Sequence, residues 1–254
     1  MALANLTFNS SLLHRPVSLS ILLPENAKPK GILYLLHGFS DRYDSALYYS
    51  SLPRLFSNLP IAVVMPDAQC SFYLDTAYGQ PFWRHISDEI PMILRQWFCF
   101  EYSTQLYFVA GLSMGGYGAA KLALSKPDIF SEAFLFSPVT NLAAIAEHGF
   151  DRSIDDHAPR KEDLQFDRLL GGRHVQGSRD DLFYLLDQAD PEKLPKFTLY
   201  TGTEDFLYND IIRFSQALDA KKANWEMLTC EGVHRWKTWD SFMEHMAAQI
   251  AAKL

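Results

Sequence analysis

The sequence predicts an α/β fold: a mostly parallel central sheet with an antiparallel N-terminal edge and helices on both faces. Three observations carry this. Continuous apolar runs such as Gly31-Ile32-Leu33-Tyr34-Leu35-Leu36 and Ile61-Ala62-Val63-Val64-Met65 are what parallel strands covered on both faces require. Segments of helical periodicity alternate with these runs along the chain. A serine set among glycines, in Ala110-Gly111-Leu112-Ser113-Met114-Gly115-Gly116-Tyr117-Gly118, lies where one such run passes into a helix. With 254 residues and 48% hydrophobic content the chain can bury one sizeable core, so a single domain over residues 1–254 is expected.

Taken in order, Leu3 to Leu13 and Val17 to Leu23 are β-prone segments joined by His14-Arg15-Pro16. Ser18 and Ser20 alternate with Val17, Leu19 and Ile21, which reads as a half-exposed strand in an antiparallel edge hairpin. A polar turn from Pro24 to Lys30 leads into the first core strand, which ends in His37-Gly38-Phe39-Ser40. Tyr43 to Ser57 reads as a helix, and Ile61 to Met65 as a second core strand ending at Pro66-Asp67. Pro81 to Phe98 has Ile86, Ile90, Ile93, Leu94 and Trp97 near helical spacing, with Pro91 expected to kink or start that helix. Gln105 to Val109 is the strand before the serine, Ala119 to Ser125 the helix after it, and Phe130 to Pro138 a fourth parallel strand.

Val139 to Leu194 differs in kind: it is charged and broken by Gly149, Pro159, Gly171, Gly172 and Gly177. Short helical patches at Leu164 to Leu170 and Asp180 to Gln188 suggest a lid-like insertion over the sheet, too small and polar for a core of its own. The alternation then resumes with a strand at Lys196 to Gly202, a helix at Leu207 to Lys222, a strand at Trp225 to Cys230 and a helix at Thr238 to Ala252.

Composition excludes several classes of function. A net charge of −7 without a clustered Lys/Arg face argues against nucleic acid or an anionic membrane as partner. Cys70, Cys99 and Cys230 are odd in number, far apart and free of C-x-x-C spacing, so neither a disulfide framework nor a thiolate metal site is expected. Residues Met1 to Pro24 lack a basic n-region and no apolar stretch reaches a membrane span, so a cytoplasmic location is expected. Gly111 to Gly116 lacks the Lys-Ser/Thr of a phosphate loop, Gly116-Tyr117-Gly118 completes no dinucleotide fingerprint, and the histidines show no metal-ligand spacing. No cofactor and no catalytic metal are expected.

Chemistry centres on Ser113. A glycine-flanked serine also occurs as a plain turn, but between strand and helix the pattern is a nucleophile elbow, with the Met114 N–H at a helix N-terminus where negative charge is stabilised. A serine hydroxyl needs a base to take its proton and an acid to orient that base. Functional groups of open α/β sheets gather beyond the carboxyl ends of strands. His234 stands directly after the Trp225 to Cys230 strand, whereas His85, His148, His157, His174 and His245 fall in helices or in the insertion. Glu204 and Asp205 follow the preceding strand; adjacent residues point apart, so only one can reach His234, and Asp205 is slightly favoured while both could cap the next helix. A second oxyanion donor is expected from the loop after the first core strand, the Phe39 N–H, with Gly38 letting the backbone approach the substrate. Trp236 and Trp239 are three apart, favouring core anchors for the last helix, with Trp236 also a candidate substrate contact.

These stretches together resemble the esterase D family. The residues that carry the resemblance are Leu36-His37-Gly38, Val64-Met65-Pro66-Asp67, Ala110 to Gly118, Gly202-Thr203-Glu204-Asp205 and Gly232-Val233-His234-Arg235-Trp236-Lys237-Thr238-Trp239. Phe72-Tyr73-Leu74-Asp75 and Tyr78-Gly79 match a further family stretch, with Phe72 where tryptophan is common. The chain is most similar to the tributyrin and acetyl esterase branch and to S-formylglutathione hydrolases, from about Gly31 to the C-terminus.

The resemblance implies an α/β-hydrolase with Ser113 as nucleophile, Asp205 rather than Glu204 as acid, His234 as base, and Phe39 and Met114 as oxyanion donors. It implies a carboxylesterase acting on a small-molecule ester of short acyl chain, acetyl to butyryl. A thioesterase or acetylated-sugar deacetylase is the alternative, and a non-catalytic binding module is the rival from another class. It also implies a homo-oligomer, dimer or tetramer, with the hairpin Leu3 to Leu23 as candidate contact. The Val139 to Leu194 segment matches weakly and would shape the substrate pockets.

Overall fold

The computed structural model describes residues 1–25, 27–101 and 106–254. Asn26, in the expected polar turn, and Gln105, the expected first residue of the strand before Ser113, lie outside the described residues.

The apolar runs become one eight-stranded sheet: β1 (Ala2–Ser10), β2 (Arg15–Leu23), β3 (Gly31–Leu36), β4 (Ile61–Pro66), β5 (Leu106–Leu112), β6 (Phe130–Phe136), β7 (Lys196–Gly202) and β8 (Trp225–Cys230). Their spatial order is β1-β2-β4-β3-β5-β6-β7-β8, with only the β1–β2 and β2–β4 pairs antiparallel. In β3 the side chains of Ile32, Tyr34 and Leu36 enter one core and those of Leu33 and Leu35 the other, as a two-residue period demands.

The α-helices among the described residues are α1 (Ser45–Tyr49), α2 (Leu52–Phe56), α3 (Phe82–Arg84), α4 (Ile90–Phe98), α5 (Met114–Ser125), α6 (Leu142–His148), α7 (Lys161–Leu164), α8 (Phe166–Leu170), α9 (Leu182–Gln188), α10 (Tyr208–Ala220), α11 (Trp236–Asp240) and α12 (Met243–Ala251). Ile90 and Leu94 of α4, Tyr117 and Ala120 of α5, and Ile211 and Phe214 of α10 cover the first face together with the insertion. Leu52 and Phe56 of α2 and Met243, Met246 and Ile250 of α12 cover the second. Among the described residues no helix is long and apolar enough to cross a membrane.

Three expectations are corrected. The hairpin turns earlier than expected, through residues 11–14, and β2 is an interior strand; Ser20 is fully buried, donating its hydroxyl to Asn5 Oδ1. The expected Tyr43 to Ser57 helix is two short ones, because Ser50 is extended and Ser51 turns its N–H and hydroxyl to Asp240 Oδ1 at 2.6 and 2.8 Å. The expectation at Pro91, by contrast, holds: α4 starts at Ile90 with Pro91 in its first turn, after a π turn at His85–Glu89. Proline cannot donate to the carbonyl of Ser87, and Lys126 Nζ fills that acceptor at 2.6 Å. The expected final helix breaks at Ser241-Phe242 into α11 and α12.

The insertion does not float above the sheet. Leu164, Phe166, Leu169, Leu182 and Leu186 join the first-face core. Lys121 of α5, fully buried, pairs with Asp180 Oδ1 at 2.6 Å just before α9 and donates to the Tyr73 carbonyl at 3.2 Å. Burial pulls its pKa down, against the opposing pull of Asp180.

A second buried cluster locks the hairpin to the helical layer. Glu89 accepts from the Ser10 hydroxyl at 2.5 Å, the Ser11 N–H at 2.6 Å and hydroxyl at 2.7 Å, and His85 Nδ1 at 2.6 Å. The serine hydroxyl here bonds the carboxylate, and His85 is sealed from solvent, so the group serves as a lock. Burial alone would raise the Glu89 carboxyl, but the donors from Ser10, Ser11 and His85 outweigh it and hold it at about 2. A depressed carboxyl stabilises the fold above its ordinary value of 4.5 and loses that contribution as pH falls towards 2. Glu89→Gln is therefore expected to cost about 2–4 kcal/mol at pH 7 by urea unfolding, with the gap to wild type closing between about pH 5 and 2. A gap independent of pH would refute the assignment.

Candidate active site

Ser113 sits at the end of β5, where the chain must reverse into α5 within one residue. Its φ of 55° and ψ of −113° lie outside the regions open to an ordinary L residue. The surrounding backbone holds this conformation: the Ser113 N–H donates to the Phe136 carbonyl at 2.8 Å, and its carbonyl accepts from Tyr117 and Val139, both at 3.1 Å. The flanking glycines are sterically required. A Cβ at Gly111 would lie 2.0 Å from the Gly115 carbonyl oxygen, and one at Gly115 would lie 2.0 Å from that of Leu36. The hairpin-like closeness of β5, α5 and the end of β3 thus depends on both.

The loops after β7 and β8 are pressed together in the same way. A Cβ at Gly202 would meet the Gly232 carbonyl oxygen at 2.1 Å, and the Glu204 N–H donates to that oxygen at 2.9 Å. This register leaves Glu204 exposed and turns Asp205, 2% exposed, inward. Asp205 Oδ1 and Oδ2 stand 3.0 and 2.9 Å from His234 Nδ1, and Oδ1 also accepts from the Leu207 N–H at 2.9 Å. With Nδ1–H donating to a carboxylate, Nε2 is the acceptor of the neutral ring. Among the described residues it has no protein partner. Phe206 and Trp239 flank the imidazole, with ring centroids 4.4 and 5.0 Å away.

Ser113 and His234 line one cavity of about 480 Å³, together with Gly38, Phe39 and Trp236. The N–H groups of Phe39 and Met114 donate to no protein acceptor among the described residues. His37 fixes the loop before Phe39: its Nδ1 donates to the Gly38 carbonyl at 2.8 Å and its Nε2 accepts from the Ala68 N–H at 3.0 Å. The contact to Ala68 requires a neutral ring, and burial lowers its pKa accordingly, against smaller opposing contributions from Gly38 and Asp67. The Tyr73 hydroxyl donates to the His37 carbonyl at 3.0 Å, tying this loop to the Tyr73 carbonyl that Lys121 grips.

Of the residues singled out from the sequence, Gly38, Phe39, Ser113, His234 and Trp236 line the cavity, whereas Asp205 is buried behind His234 and Met114 is buried next to Ser113 in the chain. A Cβ at Gly38 would come within 3.0 Å of Asp41 Oδ2, crowding the carboxylate that accepts from Trp236 Nε1 at 3.1 Å. Trp236 lines the cavity, and Trp239 combines a cavity-facing position with core burial, its Nε1 donating to Ser137 Oγ at 2.9 Å. The Val139 to Leu194 segment supplies a wall through Phe150, Asp155, His157 and Pro159. Phe72, Phe150 and Phe206 carried no sequence signal as site residues, since only the folded loops bring them together. Asp155, Asp156 and His157 place ligand atoms within 4.8 Å of one another, on a mostly exposed loop.

Comparison with known proteins adds the family. The model of the Esterase family matches residues 10–250. An acetyl esterase from Caldicellulosiruptor saccharolyticus is 25% identical, over 96% of both chains. FphF, a fluorophosphonate-binding serine hydrolase of Staphylococcus aureus, superimposes with a TM-score of 0.85 at 28% identity, covering 98% of each chain. The S-formylglutathione hydrolase FrmB of the same organism gives 0.81 at 28% identity, covering 99% of this chain and 100% of its own. With its elbow serine, its sheet order and this match along nearly the whole length, the chain belongs to the Esterase family, an esterase D-like group of α/β-hydrolases, and is a serine hydrolase of carboxylic esters.

Proposed function

We propose that the protein hydrolyses short-chain acyl esters, acetyl to butyryl, through Ser113, His234 and Asp205 and an acyl-enzyme intermediate. The observation that carries this reading is His234 anchored through Nδ1 on Asp205 while its unpartnered Nε2 shares a cavity with the strained Ser113. Ser113 Oγ attacks the ester carbonyl as His234 Nε2 takes its proton, and Asp205 stabilises the imidazolium. The oxyanion accepts from the Phe39 and Met114 N–H groups, each such donor being worth about 3–4 kcal/mol in the transition state. Collapse breaks the carbon–oxygen bond, and His234 returns the proton to the leaving alcohol. Water, deprotonated by the same imidazole, then releases the acid and restores Ser113.

The short acyl preference has two supports: the acetyl esterase relative and a cavity of about 480 Å³ walled by the rings of Phe39, Phe72, Phe150, Phe206 and Trp239. Rigid rings cannot retract to admit a long chain without repacking. The likeness to FrmB keeps a thioester as the second reading, with the same residues in the same roles.

Ser113→Ala is expected to lower kcat for p-nitrophenyl butyrate at least about ten-thousand-fold and to abolish fluorophosphonate labelling; wild-type turnover would remove the mechanism. Asp205→Asn should lower kcat about a thousandfold or more, while Glu204→Gln stays within about twofold of wild type; the reverse pattern would reassign the acid. Across p-nitrophenyl acetate to palmitate, kcat/KM should peak at acetyl to butyryl and fall at least about tenfold by octanoyl. A peak at octanoyl or beyond would refute the chain-length assignment, and a higher kcat/KM for S-formylglutathione or acetylated xylose oligomers would replace the simple ester as substrate.

A further inference from the structure

A second cavity, of about 510 Å³, lies on the other side of Phe39. Phe39 lines both cavities, and Cys70, in the wall of the second, donates its thiol to the Phe39 carbonyl at 3.1 Å. The second cavity therefore abuts the loop that presents the Phe39 N–H to Ser113.

Its wall contains two guanidinium groups, of Arg15 and Arg168. The Arg15 side chain has Nε and Nη2 buried with no hydrogen-bond partner, and its recorded contact is the Phe82 ring, 5.5 Å from Cζ. Arg168 stacks on Tyr78, with Cζ 4.7 Å from the ring centroid, and among the described residues meets no carboxylate. Neighbouring cations are differently placed: Arg84 and Arg179 pair with Asp75 at 3.2 and 3.4 Å. One carboxylate, Asp163, faces the cavity, and its Oδ2 is already taken up by the Arg160 N–H at 3.2 Å. Arg168 is exposed and hydrated, so the feature that needs a physical reason is Arg15, whose donors are buried without an acceptor in the same concave wall. Buried donors left without an acceptor cost stability unless a ligand or water supplies one. A planar guanidinium with free edges is the side chain best suited to a carboxylate.

We propose that this second cavity is an anion-accepting subsite for a carboxylate carried on one arm of the ester whose carbonyl is attacked by Ser113. The inference rests on the Ser113 reading above and deepens it: the preferred substrates are esters with a carboxylate beyond the scissile bond, steered and held by Arg15 and Arg168, with the Tyr78 ring fixing Arg168.

The test compares each charged ester with its own neutral methyl ester. On the acyl side the pair is mono-p-nitrophenyl glutarate and p-nitrophenyl methyl glutarate; on the leaving side it is 3-(4-acetoxyphenyl)propanoate and its methyl ester, with phenol release followed in both. In wild type, one pair should show kcat/KM higher for the charged member by about tenfold or more, carried by KM, and this ratio should shrink as NaCl rises from 0.05 to 0.5 M. Arg15→Gln and Arg168→Gln should each reduce that ratio about fivefold or more. A ratio at or below one for both pairs in wild type, or one that neither substitution nor salt changes, overturns the subsite. If no ester of either pair, charged or neutral, is hydrolysed, it is the Ser113 reading that fails. The subsite is then judged by calorimetric titration of glutarate into the wild-type protein and Arg168→Gln, where equal binding or none overturns it.

Discussion

The site depends on a contact made without side chains. Helix α5 meets the end of β3 so closely that the Cα of Gly115 faces the Leu36 carbonyl with no space for a methyl group, and Gly111 faces the first turn of α5 in the same manner. This approach forces Ser113 into a left-handed conformation that the Phe136, Tyr117 and Val139 backbone hydrogen bonds then hold. Strain of this kind persists only where its surroundings overdetermine it. The same device recurs at Gly202 and Gly232, where two loops touch backbone to backbone and so bring Asp205 under His234.

A buried polar chain links this frame to the rest of the cavity. Asp180, ahead of α9, holds Lys121 of α5; Lys121 holds the Tyr73 carbonyl; the Tyr73 hydroxyl holds the His37 carbonyl, one residue before Gly38. Each acceptor is met, so the chain stiffens the Phe39 loop rather than leaving a desolvated charge within the fold. The insertion therefore does more than wall the cavity: it anchors the loop that faces Ser113. Buried without partners, a lysine or aspartate there would be strongly destabilising.

Recognition is distributed differently from chemistry. The groups proposed to react stand at the carboxyl ends of β3, β5, β7 and β8, on the rigid sheet, whereas Phe72, Phe150 and His157 come from loops and from the insertion. Substrate preference can then change through the walls while the reacting groups stay fixed. The arginines beyond Phe39 lie on β2 and α8, elements that contribute nothing to the reacting groups.

Most of the architecture was legible in the sequence because it rests on local signals. Continuous apolar runs marked the parallel strands, and glycines around Ser113 marked the elbow. Position after a strand singled out His234. The expectations that failed depended on distant partners. Asp240 reaches back to split the Tyr43 to Ser57 helix, and β4 covers what sequence alternation marked as a half-exposed strand. Residue spacing likewise left Glu204 and Asp205 as alternatives, because adjacent carboxylates are equivalent until a loop is oriented. The sequence by itself determined the fold class and singled out the residues proposed to react, since these follow from periodicity, backbone sterics and position after a strand. Only the tertiary structure decided which rings wall the cavity and where Arg15 and Arg168 come together, because each is a contact between segments far apart in the chain.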